Sequence, residues 1–291
     1  MKKIVLLIVA ILSLGISFSQ NKEKKLEPKL QEAIKGFKGD MGIYVKNLRT
    51  GKTVSINADT IFPTASIVKV PILLGIMNKI NNDELNYDSS FTYKDSLLYE
   101  GEDILGSFKN NEKIVLKKLI MLMLTTSDNT ASLWLQSLAG KGTRINEILD
   151  SLGLKNTRVN SRTPGRENNR TQYGWGQTTP REMGILFEKI YRSEIFSLAV
   201  CERMMRCLGR NYWDENEAIS QIPPTIEVFS KNGCVNASRS EVLLVNAPHN
   251  PYIFCIFTKN NKDVSWKHEN EAWTMARKIS KILWEYFETK L

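Results

Sequence analysis

Histidine is almost missing from this chain. His249 and His268 are the only two in 291 residues, and both fall in loop-like stretches. That scarcity argues against a serine–histidine–aspartate triad and against a histidine-built zinc centre. The four cysteines do not compensate, because Cys201, Cys207, Cys234 and Cys255 show no metal-ligand spacing. Cys201 and Cys207 stand six apart in a predicted helix, and Cys234 and Cys255 fall in separate strand-like runs. No disulfide is therefore expected to support the fold, and no metal or organic cofactor is implied. No cluster of lysine and arginine is interleaved with aromatics, so nucleic acid has no footprint here. No apolar run reaches the length of a membrane span, and no internal repeat or low-complexity linker divides the chain.

The first positive feature is the N-terminus. Lys2 and Lys3 precede an apolar stretch, Ile4 to Ile16, and Ser17-Phe18-Ser19 places small residues where a peptidase would cut. Residues 1–19 read as a signal peptide. With no cysteine beside the cut, a lipid anchor is not expected. The remainder, residues 20–291, is expected in a periplasm or outside the cell, as a monomer without stable membrane insertion. Its roughly 270 residues suffice for one large domain or two interlocked lobes. The formal charge of +9 falls to +7 without Lys2 and Lys3, which fits a solvated basic face.

Apolar periodicity predicts helices over Leu26 to Ile34, Ser66 to Ile80, Ile114 to Leu124, Thr130 to Leu138, Pro180 to Tyr191 and Leu198 to Leu208. A last helix keeps Ala272, Met275, Ala276, Ile279, Leu283 and Tyr286 on one face. Pro71 sits in the first turns of its helix, where a missing N–H costs little, and Gly140 reads as a helix stop. Met41 to Leu48 and Thr53 to Ile56 form a hairpin about Arg49-Thr50-Gly51, and Ile226 to Val235, Ser240 to Val245 and Tyr252 to Thr258 read as three successive antiparallel strands. Strands near both ends with helices between predict an α+β fold. An antiparallel sheet is built from both termini and flanked by helices, beside a mostly helical central lobe. The α/β lobe takes about 25–60 and 222–291, and the helical lobe about 61–221.

Three short pieces carry chemistry: Ser66-Ile67-Val68-Lys69, Ser127-Asp128-Asn129 and Lys231-Asn232-Gly233. Serine-x-x-lysine alone arises by accident, since Ser19-Gln20-Asn21-Lys22 also fits it. The other two occur once each, and the three stand in order about 60 and then about 100 residues apart. Ser66 and Lys69, three apart on a helix, share a face, so the amine reaches the hydroxyl. At a helix start the Ser66 N–H is free to face an oxyanion. Lys69 accepts a proton only when neutral, and bringing its pKa to about 7 to 8 requires burial and a neighbouring cation such as Lys231. Ser127, Asp128 and Asn129 also read as an ordinary helix cap ahead of Thr130. Gly233 admits close backbone approach, or is a plain strand glycine.

With those motifs the chain resembles the class A β-lactamase family, within the group that includes penicillin-binding proteins, over nearly its whole mature length. Residues 159–167 and 173–180 carry a closer likeness to β-lactamase-related hydrolases of exported Bacteroidetes-type proteins. The resemblance implies an acyl-enzyme on Ser66, Lys69 as base, and Ser127 as relay to the leaving nitrogen. It further implies Asn129 as an amide hook, Lys231 holding Ser127 and a substrate carboxylate, Asn232 and Gly233 on the substrate, Arg239 assisting, and the Ser66 and Cys234 backbone N–H groups as an oxyanion hole. Cys234 would lend its main chain, not its thiol.

One departure stands out. Where the family carries a hydrolytic glutamate, the alignment through Thr157-Arg158-Val159-Asn160 and Thr178-Thr179-Pro180 places Thr163, or Arg162 after a one-residue shift. Neither is a base, and Ser161 and Gly176 stand where the loop's arginine–aspartate pair would be. Glu167 is the nearest carboxylate, either a relocated base or a loop residue paired with Arg166 or Arg170. The expected activity is β-lactam hydrolysis with slow deacylation. The alternatives are a D-alanyl peptidase or other cell-wall amide or ester hydrolase, and a non-catalytic β-lactam sensor. The expected partner is a small-molecule β-lactam or cell-wall peptide.

Overall fold

The computed structural model describes residues 23–101, 103–209 and 211–288; the signal segment expected over residues 1–19 lies outside them. Helix α1 (Leu26–Ala33) leads into strands β1 (Asp40–Asn47), β2 (Thr53–Ile56) and the short β3 (Phe62–Pro63). A 3₁₀ turn, Ala65–Val68, runs directly into α2 (Lys69–Asn81). Then come β4 (Ser90–Thr92), β5 (Lys113–Val115), α3 (Leu116–Thr125), α4 (Asn129–Leu138) and α5 (Lys141–Ser151). After β6 (Arg158–Val159), α6 (Glu167–Tyr173) and β7 (Gly176–Thr178) follow the long helices α7 (Pro180–Tyr191) and α8 (Leu198–Leu208). The chain closes with β8 (Val228–Val235), β9 (Ser238–Val245), β10 (Tyr252–Lys259) and α9 (Glu271–Glu288).

The main sheet is antiparallel with strand order β2-β1-β10-β9-β8, so the first strand lies beside the last, Asp40 opposite Lys259 and Asn47 opposite Tyr252. Alternation sorts its side chains onto two faces. Met41, Ile43 and Val45 of β1 and Tyr252, Phe254 and Ile256 of β10 meet Leu30, Ile279 and Leu283 of α1 and α9 on one side. Tyr44, Val242, Leu244, Ile253, Cys255 and Phe257 meet the central helices on the other, with Ile72, Leu73, Leu119, Leu186 and Phe187 among the fully buried residues. Both faces are therefore buried, and β8 is one of the two edge strands, opposite β2. The α+β architecture read from the sequence is the one observed.

Two helices escaped the sequence reading. α6 is Glu-Asn-Asn-Arg-Thr-Gln-Tyr and buries none of its residues, so it has no apolar stripe to detect. α5 begins at Gly140, whose φ of +90° ends α4 and caps α5 in one residue. Gly140 is thus a hinge between two helices as well as a stop. All four cysteines are free. Among the described residues, no helix is long and apolar enough to cross a membrane.

Candidate active site

Ser66 sits in the 3₁₀ turn rather than inside the helix, and α2 starts at Lys69. The turn is held from both sides: Thr64 N–H donates to the Gly176 carbonyl at 2.9 Å, Ile67 N–H to the Thr64 carbonyl at 2.9 Å, and Ile67 and Val68 are fully buried. Ser66 itself stays half-exposed. Lys69 is fully buried, and its Nζ lies 3.0 Å from Ser66 Oγ, 3.0 Å from Ser127 Oγ and 2.9 Å from Asn129 Oδ1, with the Ser127 carbonyl also in reach. Burial drives the Lys69 pKa well below the ordinary lysine range, and the Lys231 charge adds to this; Asp103 and Asp128 oppose it. A neutral amine has two N–H donors and one lone pair. Here the lone pair can take a proton from either hydroxyl while the N–H groups hold Asn129 and the Ser127 carbonyl.

Ser127 is placed by backbone strain. Its φ of +61° puts a non-glycine residue in the left-handed region, a conformation costing of order 1–3 kcal/mol that persists only when its surroundings impose it. Asp128 supplies that constraint. One carboxylate oxygen accepts the Ala131 N–H at 2.7 Å, capping α4, and the other accepts the Leu105 N–H at 2.8 Å, tying in the loop over the site. The cap reading of this motif therefore belongs to Asp128. Asp103, which sequence reasoning did not single out, accepts the Thr130 N–H at 2.8 Å from the same loop.

Edge strand β8 forms the facing wall. A side chain at Gly233 would lie 2.4 Å from the Thr64 carbonyl and 3.0 Å from Ser66 N, so only glycine lets the strand close on the turn. Cys234 pairs with Arg239 across the hairpin, and Arg239 spends its own N–H and carbonyl on the Thr258 hydroxyl of β10. Cys234 and Arg239 are thus a non-hydrogen-bonded pair, and the Cys234 N–H points out of the free edge toward Ser66. Its thiol is pushed up to about 12 by burial and is not a nucleophile at neutral pH.

The two cations expected in the cleft are arranged differently. Lys231 is fully buried, with Nζ 2.9 Å from both the carbonyl and Oδ1 of Asn232, and Ser127 is not its partner. Burial lowers its pKa to about 8, against the pull of Cys234, Glu217 and Glu241. Asn232 in turn donates to the Trp213 carbonyl and to Glu217 Oε1, each at 2.8 Å. Burial raises the pKa of both Glu217 and Glu241. Arg239 does not reach the substrate side: its guanidinium donates to the carbonyls of Val235, Asn236, Ser238 and Ser265 and lies over Trp266 and Trp273. The tight β8–β9 turn presents the first three of those carbonyls to it, and the segment after β10 the fourth.

The loop carries two further corrections. Glu167 is exposed on α6, where it accepts the Gly165 N–H at 3.1 Å, and it does not line the cleft; a relocated base is not found there. Nor does it pair with Arg166, whose guanidinium donates to Asn160 Oδ1 at 3.0 Å and Gln177 Oε1 at 2.8 Å. Thr163 turns away from Ser66 onto Gly142 of α5. A network of neutral amides, with Ser161 Oγ on Gln136 at 2.9 Å, replaces an ion pair as the loop's brace.

Two cavities meet at Ser66. The first, about 630 Å³, is walled by Tyr99, Tyr173, Trp175, Gln172, Asn129 and the Cys234–Ser238 edge, and no described residue lining it is an aspartate or glutamate. The second, about 590 Å³, lies on the Ser127 side beneath Trp213, Trp266 and Asp214. Tyr99 meets Trp175 edge-on at 5.1 Å. The sequence offered one signal for these walls, the exposed aromatics between predicted elements, and it is too common a feature to single them out.

The arrangement matches known proteins. Residues 25–287 fit the model of the beta-lactamase enzyme family. The chain is 23% identical to Beta-lactamase VEB-1 of Pseudomonas aeruginosa over 99% of each chain. In fold it is similar to a point mutant of PBP-A solved as an acyl-enzyme complex with penicillin-G (TM-score 0.81, 21% identity, 93% of this chain and 98% of that one). It is likewise similar to a class A beta-lactamase from Bacteroides cellulosilyticus (TM-score 0.81, 20% identity, 92% and 98% covered). With nearly the whole chain matched and the three motifs drawn around one cleft, the chain belongs to the beta-lactamase enzyme family, as a serine hydrolase of the β-lactamase type.

Proposed function

We propose that Ser66 attacks the carbonyl of a β-lactam amide, with Lys69 taking the hydroxyl proton and Ser127 passing it to the leaving nitrogen. The observation that carries this reading is the single buried amine 3.0 Å from both hydroxyls. The Ser66 and Cys234 N–H groups, one from the turn and one from the strand edge, form the oxyanion hole. Asn129 holds the acyl side chain, while Lys231, Asn232 and Gly233 supply the positive and close-fitting wall. Residues 1–19 direct export, and the mature chain works as one domain of two lobes in the periplasm or outside the cell.

Deacylation is slow in this reading. General-base help is worth about 10²- to 10⁴-fold, and the cavity on the acyl side offers no carboxylate among its described residues. The expected behaviour with a chromogenic cephalosporin is a burst of one equivalent followed by a slow phase, with an adduct on Ser66 in the intact mass that Ser66→Ala abolishes. Rapid linear turnover with no accumulating adduct would overturn slow deacylation. A D-alanyl peptidase or other cell-wall hydrolase uses the same four groups, and that second reading also draws on the missing base. It predicts faster acylation by a D-alanyl ester than by penicillin.

A further inference from the structure

The two cavities at Ser66 divide the substrate between them. Asn129 lines the acyl-side cavity and Ser127 the other, so the half that departs with the relayed proton lies in the second. Two indoles wall that second cavity, Trp213 and Trp266, and they are 51% and 60% exposed, large values for so apolar a side chain. Both are fixed in place. Trp213 donates its Nε1–H to the Thr126 carbonyl at 2.9 Å, meets Tyr212 edge-on at 4.8 Å, and accepts the Asn232 amide on its own carbonyl at 2.8 Å. The Tyr212 N–H ties the same segment to the Thr125 carbonyl at 2.9 Å. Trp266 lies against the Arg239 guanidinium, 4.3 Å from its ring centroid, and edge-on to Trp273 at 6.0 Å. A mobile surface indole would lose rotamer freedom on binding a ligand; these have already lost it, so contact with a flat ring costs little further ordering. The proton relay uses neither ring.

We infer that Trp213 and Trp266 form a subsite for a planar aromatic ring on the leaving half of the substrate, beyond the substrate carboxylate that stays at the Lys231–Gly233 wall. This rests on Ser66 being the attacking atom, because that chemistry decides which half of the substrate enters this cavity. Stacked or edge-on aromatic contacts gain more than the same area of saturated carbon, since an aromatic ring has a negative face and a positive edge. Asp214 and Glu215 also line the cavity, and a positive ring edge suits them where a saturated ring offers nothing. At about 590 Å³ the cavity has room for such a ring together with the leaving atom and its carboxylate. In the step concerned, Ser66 Oγ bonds to the acyl carbon and the bond from that carbon to the leaving heteroatom breaks. The serine proton, carried by Lys69 and Ser127, ends on the leaving heteroatom. Water then cleaves the acyl-serine ester, releasing the acid and restoring the hydroxyl.

Three esters with one common acyl group test it, with D-lactate, D-3-cyclohexyllactate and D-3-phenyllactate as leaving alcohols. Each keeps the same carboxylate beside the leaving oxygen, so the charged groups of the cleft act alike on all three. All form the same acyl-enzyme, so differences in kcat/KM report acylation alone; each value is normalised to hydroxide-catalysed hydrolysis of the same ester. The phenyllactate ester should exceed the cyclohexyllactate ester by about two- to tenfold, although the saturated ring is the more apolar of the two. Trp213→Leu and Trp266→Leu should each bring that ratio toward one, whereas Trp213→Phe, which keeps a ring face, should retain most of it. Tyr191→Leu, at the end of α7 and lining neither cavity, is the control and should leave the ratio as it is. A cyclohexyllactate ester equal to or better than the phenyllactate ester in the unaltered protein overturns the subsite, and that comparison depends on no variant. A phenyl preference that survives in both leucine variants, each shown to be folded by its thermal midpoint, overturns it as well. Absence of a Ser66 adduct in the intact mass with all three esters is a different failure, and removes the acyl-enzyme reading along with the subsite.

Discussion

Lys69 must be uncharged to take a proton, and its position ensures this by removing water and by placing Lys231 nearby. The acid limb of acylation therefore lies well below the ordinary lysine range. Lys69→Met should lower the acylation rate constant by about 10²- to 10⁴-fold, read by stopped flow, with the thermal midpoint unchanged or raised because a buried amine is gone. Glu167→Gln should leave both acylation and deacylation unaltered, since that carboxylate is exposed and holds only the Gly165 N–H of its own loop. Loss of the slow phase in this variant would restore the relocated base. Ser66 and Lys69 were legible together because three residues along a helix share a face, whereas Ser127 and Asn129 joined them through the family resemblance, not through any spacing. The places of Arg239 and Glu167 were not legible. Which partner claims a cation or a carboxylate depends on carbonyls and N–H groups exposed by turns, and no spacing rule reports those.

Asp128 joins two elements through one side chain, capping α4 and fastening the 95–108 loop. Asp128→Ala should lower stability by about 1 to 2 kcal/mol for the lost cap, and more if Leu105 N–H is left unpaired. Because Ser127 is held in its strained conformation by the same corner, acylation should fall with stability, as seen by denaturant melts and burst rates on one sample. Asp128→Asn keeps an acceptor for the cap but sets its amide NH2 against the Leu105 N–H, so it should recover only part of both. A variant that melts early yet acylates at the full rate would separate the corner from the chemistry. The long helices were legible because each has an apolar stripe, and α7 and α8 keep the bounds that periodicity assigned. α6 was not, since helix without burial leaves no periodic trace.

Two covered faces of one sheet leave the buried lysines as the main electrostatic cost of the fold. For Lys231 the sign follows from its values: the folded pKa is about 8, below the ordinary 10.5. Between those values the unfolded chain holds a proton that the folded chain has released, so this group's contribution to stability rises with pH from about 8 to about 10.5. Below that window both states are protonated and the cost of the buried charge is fully present. Lys231→Met should remove that slope, comparing denaturation midpoints at neutral and alkaline pH. An unchanged slope would place the titration in another group. The same residue's charge fades above pH 8, so acylation should decline on that alkaline side if the positive wall matters. The antiparallel sheet with its helical insert was legible from strand runs near both ends. The charge pattern of the cleft was not, because it emerges only when distant loops converge.

The pairing of β1 with β10 has a temporal consequence. On the ribosome the opening hairpin emerges first and its principal neighbour almost last, so its hydrogen-bonding edge waits unpartnered through nearly all of synthesis. The nucleophile's turn waits too, because the strand that packs against it belongs to the same late segment. Truncated chains lacking that segment should be inactive and prone to stick together edge to edge, whereas threading through a translocase before β10 appears would spare the cell both problems.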